Sequence, residues 1–380
     1  MGNCCKKKKV ETLIDENDIN KALDNNEDNP LGIKLKSEDF EKLNLIGKGS
    51  FGEVYLVRFK LNDKYYAMKI LNKKNIISFN QEEHTKTERD LMVKVNCPFI
   101  IDIKFAFQDK QYLYLLTEFM QGGELFFHLF KDKRFNNEKA KFYTIEIILA
   151  IDFMHKKKMI YRDLKPENVL IDKTGHIKLT DFGLSKILSK EKEKAYTICG
   201  TPQYLAPEIL TGDGYDDSVD WWSLGCILYK MLVGGDPFRF PMDESLNPEM
   251  YETKVLFPDY ISEQAQDLIK KLLVTNTKKR LGYGSNGVEK IKKHSYFEGI
   301  NWEKAWKKEL KPPFIPELKD DLDLKYFDKE FTEERVESYS DIEPSSQTDN
   351  FKGFTFIADS FDKSELNVSK KSNDTNSSNY

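Results

Sequence analysis

Two carboxylates, an amide and an amine gather in one stretch of the chain. Ile160 to Ile171 reads IYRDLKPENVLI, where apolar flanks bracket a polar loop holding Asp163, Lys165 and Asn168; LTDFG comes next, with Asp181 in a turn before Gly183. Further upstream, LIGKGSFGEVYLV carries Gly47, Gly49 and Gly52 as G-x-G-x-x-G. That pattern alone is shared with dinucleotide-binding folds. The residues after the last glycine separate the two readings: Val54 and Leu56 alternate with Tyr55 and Val57, a β pattern, whereas a dinucleotide fold would open a helix there. The glycines therefore belong to a hairpin, where missing Cβ atoms let backbone N–H groups approach a triphosphate. Lys69, in the alternating run YAMKIL, is placed on the next strand to reach the α- and β-phosphates.

The elements that must position these groups are legible as patterns. Between Asn80 and Val95 the period turns helical, with His84, Glu88 and Met92 one turn apart. Glu88 is the preferred partner for Lys69 over Glu82 and Glu83, because Leu91, Met92 and Val95 surround it with an apolar face. A chain of 380 residues allows about two or three domains, and 39% hydrophobic with 32% charged residues excludes a wholly disordered protein. A formal net charge of −4 gives no general attraction to nucleic acid, so no such partner is expected. The 5 cysteines are unevenly spread and form no C-x-x-C, which excludes a zinc ribbon and a disulfide framework and fits a reducing, cytoplasmic setting. No apolar run reaches the ~18–20 residues needed to span a bilayer. No internal repeat is visible, and the compact part is expected from about Phe40 to Phe356.

The loop YRDLKPEN and the later DFG resemble the protein kinase signature H-R-D-x-K-x-x-N plus D-F-G, with Tyr161 in place of the histidine. Ala206-Pro207-Glu208 matches A-P-E, Arg280 its partner arginine, and Asp220 the residue bracing the catalytic loop. The resemblance implies an α+β, bilobal kinase fold: a small, mainly antiparallel β lobe with a regulatory helix, a large, mainly α lobe, and a C-terminal extension wrapping the small lobe. It implies ATP and Mg²⁺ as cofactors. Asp163 would orient the substrate hydroxyl and accept its proton, Lys165 would balance phosphoryl charge, and Asn168 and Asp181 would hold the metal. The ATP site would comprise Ile46, Gly47, Lys48, Gly49, Ser50, Phe51, Gly52, Val54, Ala67, Lys69, Glu88, the gatekeeper Thr117, the hinge Glu118 to Met120, and Glu124.

Finer matches resemble the AGC group of serine/threonine kinases, nearest its ribosomal-protein kinase, serum/glucocorticoid-regulated kinase and protein kinase B branch. Thr201, in GTPQYLAPE, matches the residue that organises Asp163 and Lys165. Thr197 matches the activation-segment phosphosite, with His84, Arg162 and Lys186 as receivers of its phosphate. Tyr326-Phe327-Asp328 fits a segment passing near the nucleotide. Phe351 to Phe356, FKGFTF, fits the hydrophobic motif, with Thr355 as a second phosphosite and as a dock for an upstream activating kinase. Ser338 and Ser340 are the candidates for a turn-motif site. Glu124 and Glu167 match acidic positions that receive an arginine three residues before the phosphoacceptor. Lys230 and Gln203 stand where relatives commonly carry Glu, so a second upstream arginine should be recognised less strongly.

The first residues, MGNCCKKKK, offer Gly2 for myristate, Cys4 and Cys5 for palmitate, and Lys6 to Lys9 for anionic lipid, although Lys6 stands where the acylation pattern has Ser or Thr. Attachment to a membrane surface is expected. The resulting organisation is an acylation and linker segment at 1–39, a kinase domain at 40–297, the C-terminal extension at 298–361 and a disordered tail at 362–380. The rival from another class is a membrane-tethered scaffold that binds nucleotide with little transfer.

Overall fold

A computed structural model describes residues 34–49, 52–188, 193–239, 248–335 and 351–358. The alternating stretches of the N-terminal lobe form β1 (Phe40–Gly49), β2 (Gly52–Phe59), β3 (Tyr65–Asn72), β4 (Ile103–Gln108) and β5 (Tyr112–Glu118). Two helices, α1 (Lys73–Ser78) and α2 (Glu82–Lys94), connect β3 to β4. The strands lie in the order β1-β2-β3-β5-β4, each antiparallel to its neighbour. Because side chains alternate across a strand, Tyr66, Met68, Ile70, Tyr112, Tyr114 and Leu116 bury an aromatic layer on one face with Phe40, Phe59 and Phe105. Ala67, Lys69, Leu115 and Thr117 are left for the opposite face, toward the second lobe.

That lobe is mainly helical. It contains β6 (Gly123–Glu124), α3 (Leu125–Asp132), α4 (Asn137–Lys156), β7 (Met159–Ile160), β8 (Val169–Ile171), β9 (Ile177–Leu179), β10 (Lys186–Ile187), α5 (Pro207–Thr211), α6 (Ser218–Val233) and α7 (Glu263–Leu272). Helix α4 begins where Asn136 caps the N–H of Lys139, and it is buried on nearly every side from Phe142 to Met154. The two acidic residues in this apolar stretch are matched: Glu146 meets His176 at 2.5 Å, and Asp152 meets Lys292 at 2.8 Å. Unpaired, such buried charges would cost several kcal/mol. Helix α6 is likewise buried and ends at Gly234, whose φ of 90° suits a residue without Cβ. Short antiparallel pairs β6-β8-β9 and β7-β10 carry the polar loops of the sequence to the lobe boundary.

The chain then returns to the small lobe. Strand β11 (Phe356–Ile357) pairs antiparallel with β4 and becomes the sixth strand of the sheet. Among the described residues no helix is long and apolar enough to cross a membrane.

Candidate active site

A cleft of about 620 Å³ separates the lobes, and nearly all the chemistry-bearing residues of the sequence converge on it. Its ceiling is the inner face of the small sheet. Val54 and Leu115 flank Lys69 in register on either side, and Ala67 lies opposite Thr117. Ile46, Glu118, Met120 and the glycine hairpin complete the rim. The glycines differ in their reasons. A Cβ on Gly52 would fall 1.9 Å from the Ile70 carbonyl oxygen, so the β2–β3 pairing itself requires glycine. Among the described residues a Cβ on Gly47 or Gly49 would meet nothing closer than 3.9 or 3.8 Å. Their bareness leaves space on the cleft side, as a phosphate cradle needs. Ser50 and Phe51 lie outside the described residues.

Lys69 is held from two sides: its Nζ is 2.6 Å from Glu88 Oε1 on α2 and 3.6 Å from Asp181 Oδ1. Burial works against the ammonium, but Asp181 and Glu88 more than offset it and raise its pKa, so the charge is secure. Lys69 in turn holds the Asp181 carboxyl below the usual range. Phe182, next in sequence, is buried against Tyr161, with ring centroids 5.4 Å apart.

The catalytic-loop residues form one hydrogen-bonded unit. Thr201 Oγ1 donates to Asp163 Oδ1 at 2.9 Å and accepts from Lys165 Nζ at 3.0 Å. Lys165 Nζ also lies 3.0 Å from Asp163 Oδ2. Asn168 Nδ2 donates to Asp163 Oδ2 at 2.9 Å and to its carbonyl oxygen at 2.8 Å. The loop is anchored from below by Asp220, which accepts the backbone N–H groups of Tyr161 and Arg162 at 3.0 and 2.9 Å and meets His155 Nε2 at 2.7 Å. The Tyr161 hydroxyl donates to the Thr180 carbonyl, tying the loop to the turn that bears Asp181. Arg162 and Asp181 adopt φ of 68° and 61°, left-handed values that non-glycine residues hold at a cost of about 1–3 kcal/mol each.

The donor set suits a hard divalent cation. With its amide nitrogen turned to Asp163, Asn168 keeps Oδ1 for other partners, and the Asp181 side chain is 49% exposed toward the cleft. Among the described residues no group of three or more His, Cys, Asp or Glu could hold a metal alone. A cation here would complete its shell with phosphate oxygens and water, which is how magnesium is commonly bound.

Two residues of the cleft, Leu170 and Thr180, were not singled out in the sequence, whereas Phe327 belongs to the segment expected near the nucleotide. Leu170 and Thr180 line its floor, and Phe327 closes its edge, stacked on Phe119 at 5.5 Å. Leu170 could have been reached from the strand alternation after Asn168; Thr180 has no such signal. At the mouth stand Glu124 and Glu167. Glu124 is exposed at its tip yet flanked by protein; loss of surrounding water, then the charge of Glu167, pushes its carboxyl up to about 7. Oε2 of Glu167 is buried and has no hydrogen-bond partner among the described residues. Lys230 pairs with Asp236 at 2.8 Å nearby, with its ammonium over the Tyr204 ring.

Thr197 is exposed. Arg162 reaches it indirectly: its guanidinium donates to the Tyr215 hydroxyl at 3.1 Å, which donates to the Thr197 carbonyl at 2.6 Å. Nothing local in the sequence distinguishes Tyr215. Lys186 lies 4.0 Å from Glu193, and His84 Nδ1 lies 2.6 Å from Gln81 Oε1. At the far side of α2, Phe351 and Phe354 are buried in the cluster that includes Leu91, Met92 and Val95. Gln108 Nε2 donates to the Phe351 carbonyl at 2.8 Å, and an Arg89 guanidinium nitrogen to the Thr355 carbonyl at 3.2 Å. Gly2, Cys4, Cys5, Ser338 and Ser340 lie outside the described residues.

Comparison with known proteins agrees with this geometry. Residues 40–297 match the family model described as "Protein kinase domain", and residues 318–356 match "Protein kinase C terminal domain". The chain is 42% identical over 356 residues to a "RAC family serine/threonine-protein kinase homolog" of Dictyostelium discoideum, covering 92% of this chain and 79% of that one. It is 44% identical over 328 residues to "Protein kinase 2" of the same organism, covering 85% and 68%. It is 43% identical over 330 residues to the human "Ribosomal protein S6 kinase alpha-3", covering 86% of this chain and 44% of that longer one.

Proposed function

This chain belongs to the protein kinase family as a serine/threonine kinase of the AGC group, and from that premise we propose that it transfers the γ-phosphoryl group of ATP to hydroxyls preceded by an arginine three residues upstream. The observation that carries the substrate reading is the acidic mouth of the cleft. Glu167 holds a buried carboxylate oxygen with no donor among the described residues, and Glu124 is close enough for the two charges to repel. A guanidinium would supply donors to both and relieve that repulsion.

ATP would lie with its base between the small sheet and Leu170, beside Glu118 and Met120, and its phosphates under the glycine hairpin and against Lys69. Asn168 and Asp181 are the residues that would hold Mg²⁺, which when bound neutralises phosphate charge. Asp163 orients the substrate hydroxyl and takes its proton, while Lys165 balances the charge on the moving group. Thr201 locks these two side chains together, so the acceptor hydroxyl meets them in a fixed geometry.

Regulation uses the same geometry. Phosphate on Thr197 would act through Arg162 and Tyr215, with Lys186 and His84 as the further receivers of its charge. Phosphate on Thr355 and docking of an upstream activating kinase on FKGFTF would act through α2 and Glu88. The division into 1–39, 40–297, 298–361 and 362–380, Ser340 as a turn-motif site, and attachment of Gly2, Cys4, Cys5 and the lysine run to a cytoplasmic membrane surface complete the reading.

The experiment is ATP-dependent phosphorylation of a peptide with a single arginine three residues before serine, against the same peptide with alanine there. Arginine should raise kcat/KM about 10- to 100-fold, in line with a hydrogen-bonded charge pair. Equal rates on the two peptides would overturn the substrate reading, and no transfer by the Thr197-phosphorylated chain would overturn the activity.

A further inference from the structure

Helix α3 leaves the cleft mouth immediately after Glu124 and carries two exposed aromatic rings. Phe126 is 36% and Phe130 79% exposed, and the rings stack on each other at 6.3 Å. Solitary exposed hydrophobic residues are ordinary; an adjoining pair beside a polypeptide-binding cleft is a contact surface. The other sides of α3 are already committed. Leu125, His128 and Leu129 are buried in the lobe. Phe127 and His128 face Tyr326 of the C-terminal extension at 6.3 and 5.0 Å. Just past the helix, Phe135 donates its backbone N–H to the Met231 carbonyl at the end of α6. The flank bearing Phe126 and Phe130 therefore runs from Glu124 toward the end of α6, where Lys230 sits.

We propose that Phe126 and Phe130 form a substrate subsite for an aromatic or large aliphatic side chain upstream of the arginine. The proposal rests on the reading of Glu124 as an arginine receiver. The register comes from geometry. Phe126 and Phe130 lie two and six residues beyond Glu124, about 3 and 9 Å along a helix rising 1.5 Å per residue. An extended peptide covers that span in about one to three residues at roughly 3.3 Å each. Counting from the arginine at the third position before the acceptor, the apolar side chain falls between the fourth and the sixth. Charge disfavours the alternative of a second arginine there: Lys131, Lys133 and Arg134 are exposed after Phe130, the acid among them, Asp132, is paired with Lys139 at 2.8 Å, and Lys230 neutralises Asp236. An uncharged aromatic surface set among cations takes an apolar side chain and repels a basic one.

The test uses the full chain phosphorylated on Thr197. Peptides with arginine fixed at the third upstream position carry Phe, Leu, Ala or Arg in turn at the fourth to seventh. The ratio of kcat/KM for the Phe peptide to the Ala peptide is read in each enzyme. In the unaltered protein it should be about 3- to 10-fold at one position between the fourth and the sixth, the size of one aromatic contact. It should fall to about one in Phe130→Ala, and in Phe130→Glu the best residue should become Arg. A ratio near one in the unaltered protein, or an unchanged ratio in Phe130→Ala, would overturn the subsite while leaving the Glu124 reading intact. Loss of dependence on the fixed arginine would remove the Glu124 reading and, with it, the register on which the subsite depends.

Discussion

Truncating Phe354 to alanine should release the end of the C-terminal extension from the small lobe. Phe354 is 2% exposed, in edge-to-face contact with Phe351 at 6.5 Å, within the cluster that also buries Leu91 and Met92 of α2. Replacing such a ring by alanine at a rigid site costs about 3–5 kcal/mol. The segment 351–358 has a cheaper response than keeping a cavity, because few bonds hold it. Among the described residues they include the Gln108 amide on the Phe351 carbonyl, the Arg89 guanidinium on the Thr355 carbonyl, and a two-residue strand closed by the Ala358 N–H on the Lys104 carbonyl at 3.0 Å. At the lower figure of about 3 kcal/mol the opening equilibrium shifts by roughly 100-fold, since about 1.4 kcal/mol is a factor of ten. Hydrogen exchange reads this directly. The Ala358 amide should exchange about 100-fold faster, with a smaller gain across α2 and none within α6. Kinase activity should fall with it, because α2 presents Glu88 to Lys69. Exchange at Ala358 within about 3-fold of the unaltered protein would refute the claim that this ring closes the sheet edge.

Other outcomes rest on single contacts. Arg280 is fully buried and pairs with Glu208 at 2.5 and 2.8 Å, so Glu208→Ala strands a buried cation at about 3–5 kcal/mol; thermal unfolding should come roughly 6–12 °C lower, and a shift under about 2 °C would count against it. Since the Glu124 carboxyl is pushed up to about 7, it loses charge as pH falls through neutrality. KM for an arginine peptide should therefore rise several-fold between about pH 8 and pH 6, and Glu124→Gln should flatten that profile. Burial opposes protonation of His155, but Asp220 and Asp217 more than offset it and raise its pKa above the ordinary 6.5. Its pairing stabilises the fold fully below that ordinary value and fades as pH rises past the raised one. His155→Phe should accordingly lower the melting temperature more at about pH 6 than at about pH 9. Asp181→Asn should abolish phosphoryl transfer while leaving the melting temperature within a few degrees, as measured by radiolabel transfer and calorimetry.

The sheet and its facing were readable because they are written locally. Alternation in YAMKIL sorts side chains onto two faces whatever the rest of the chain does, which put Lys69 on one face of its strand; Thr117 was placed by the family resemblance alone. The spacing of Leu91, Met92 and Val95 likewise selected Glu88 among three glutamates. Tyr215 and Thr180 were invisible for the opposite reason. Each matters through one backbone carbonyl or hydroxyl, and neither contact imposes a period or a composition on the chain.

Residue types and short-range periods thus specified the chemical inventory, the hairpin for the glycines, and the helix for Glu88. Three-dimensional closure decided the rest. Only when α6 packs under the loop does Asp220 gather the N–H groups of Tyr161 and Arg162, and only then is the left-handed backbone at Arg162 and Asp181 sustained against its cost. Pairing of β11 with β4 joins residues 356 and 106, a register that no local propensity encodes because its two partners lie far apart in the chain. The repulsion between Glu124 and Glu167, on which the proposed arginine site rests, arises in the same way: burial and proximity are properties of the folded surface, and a carboxylate in a linear chain has neither.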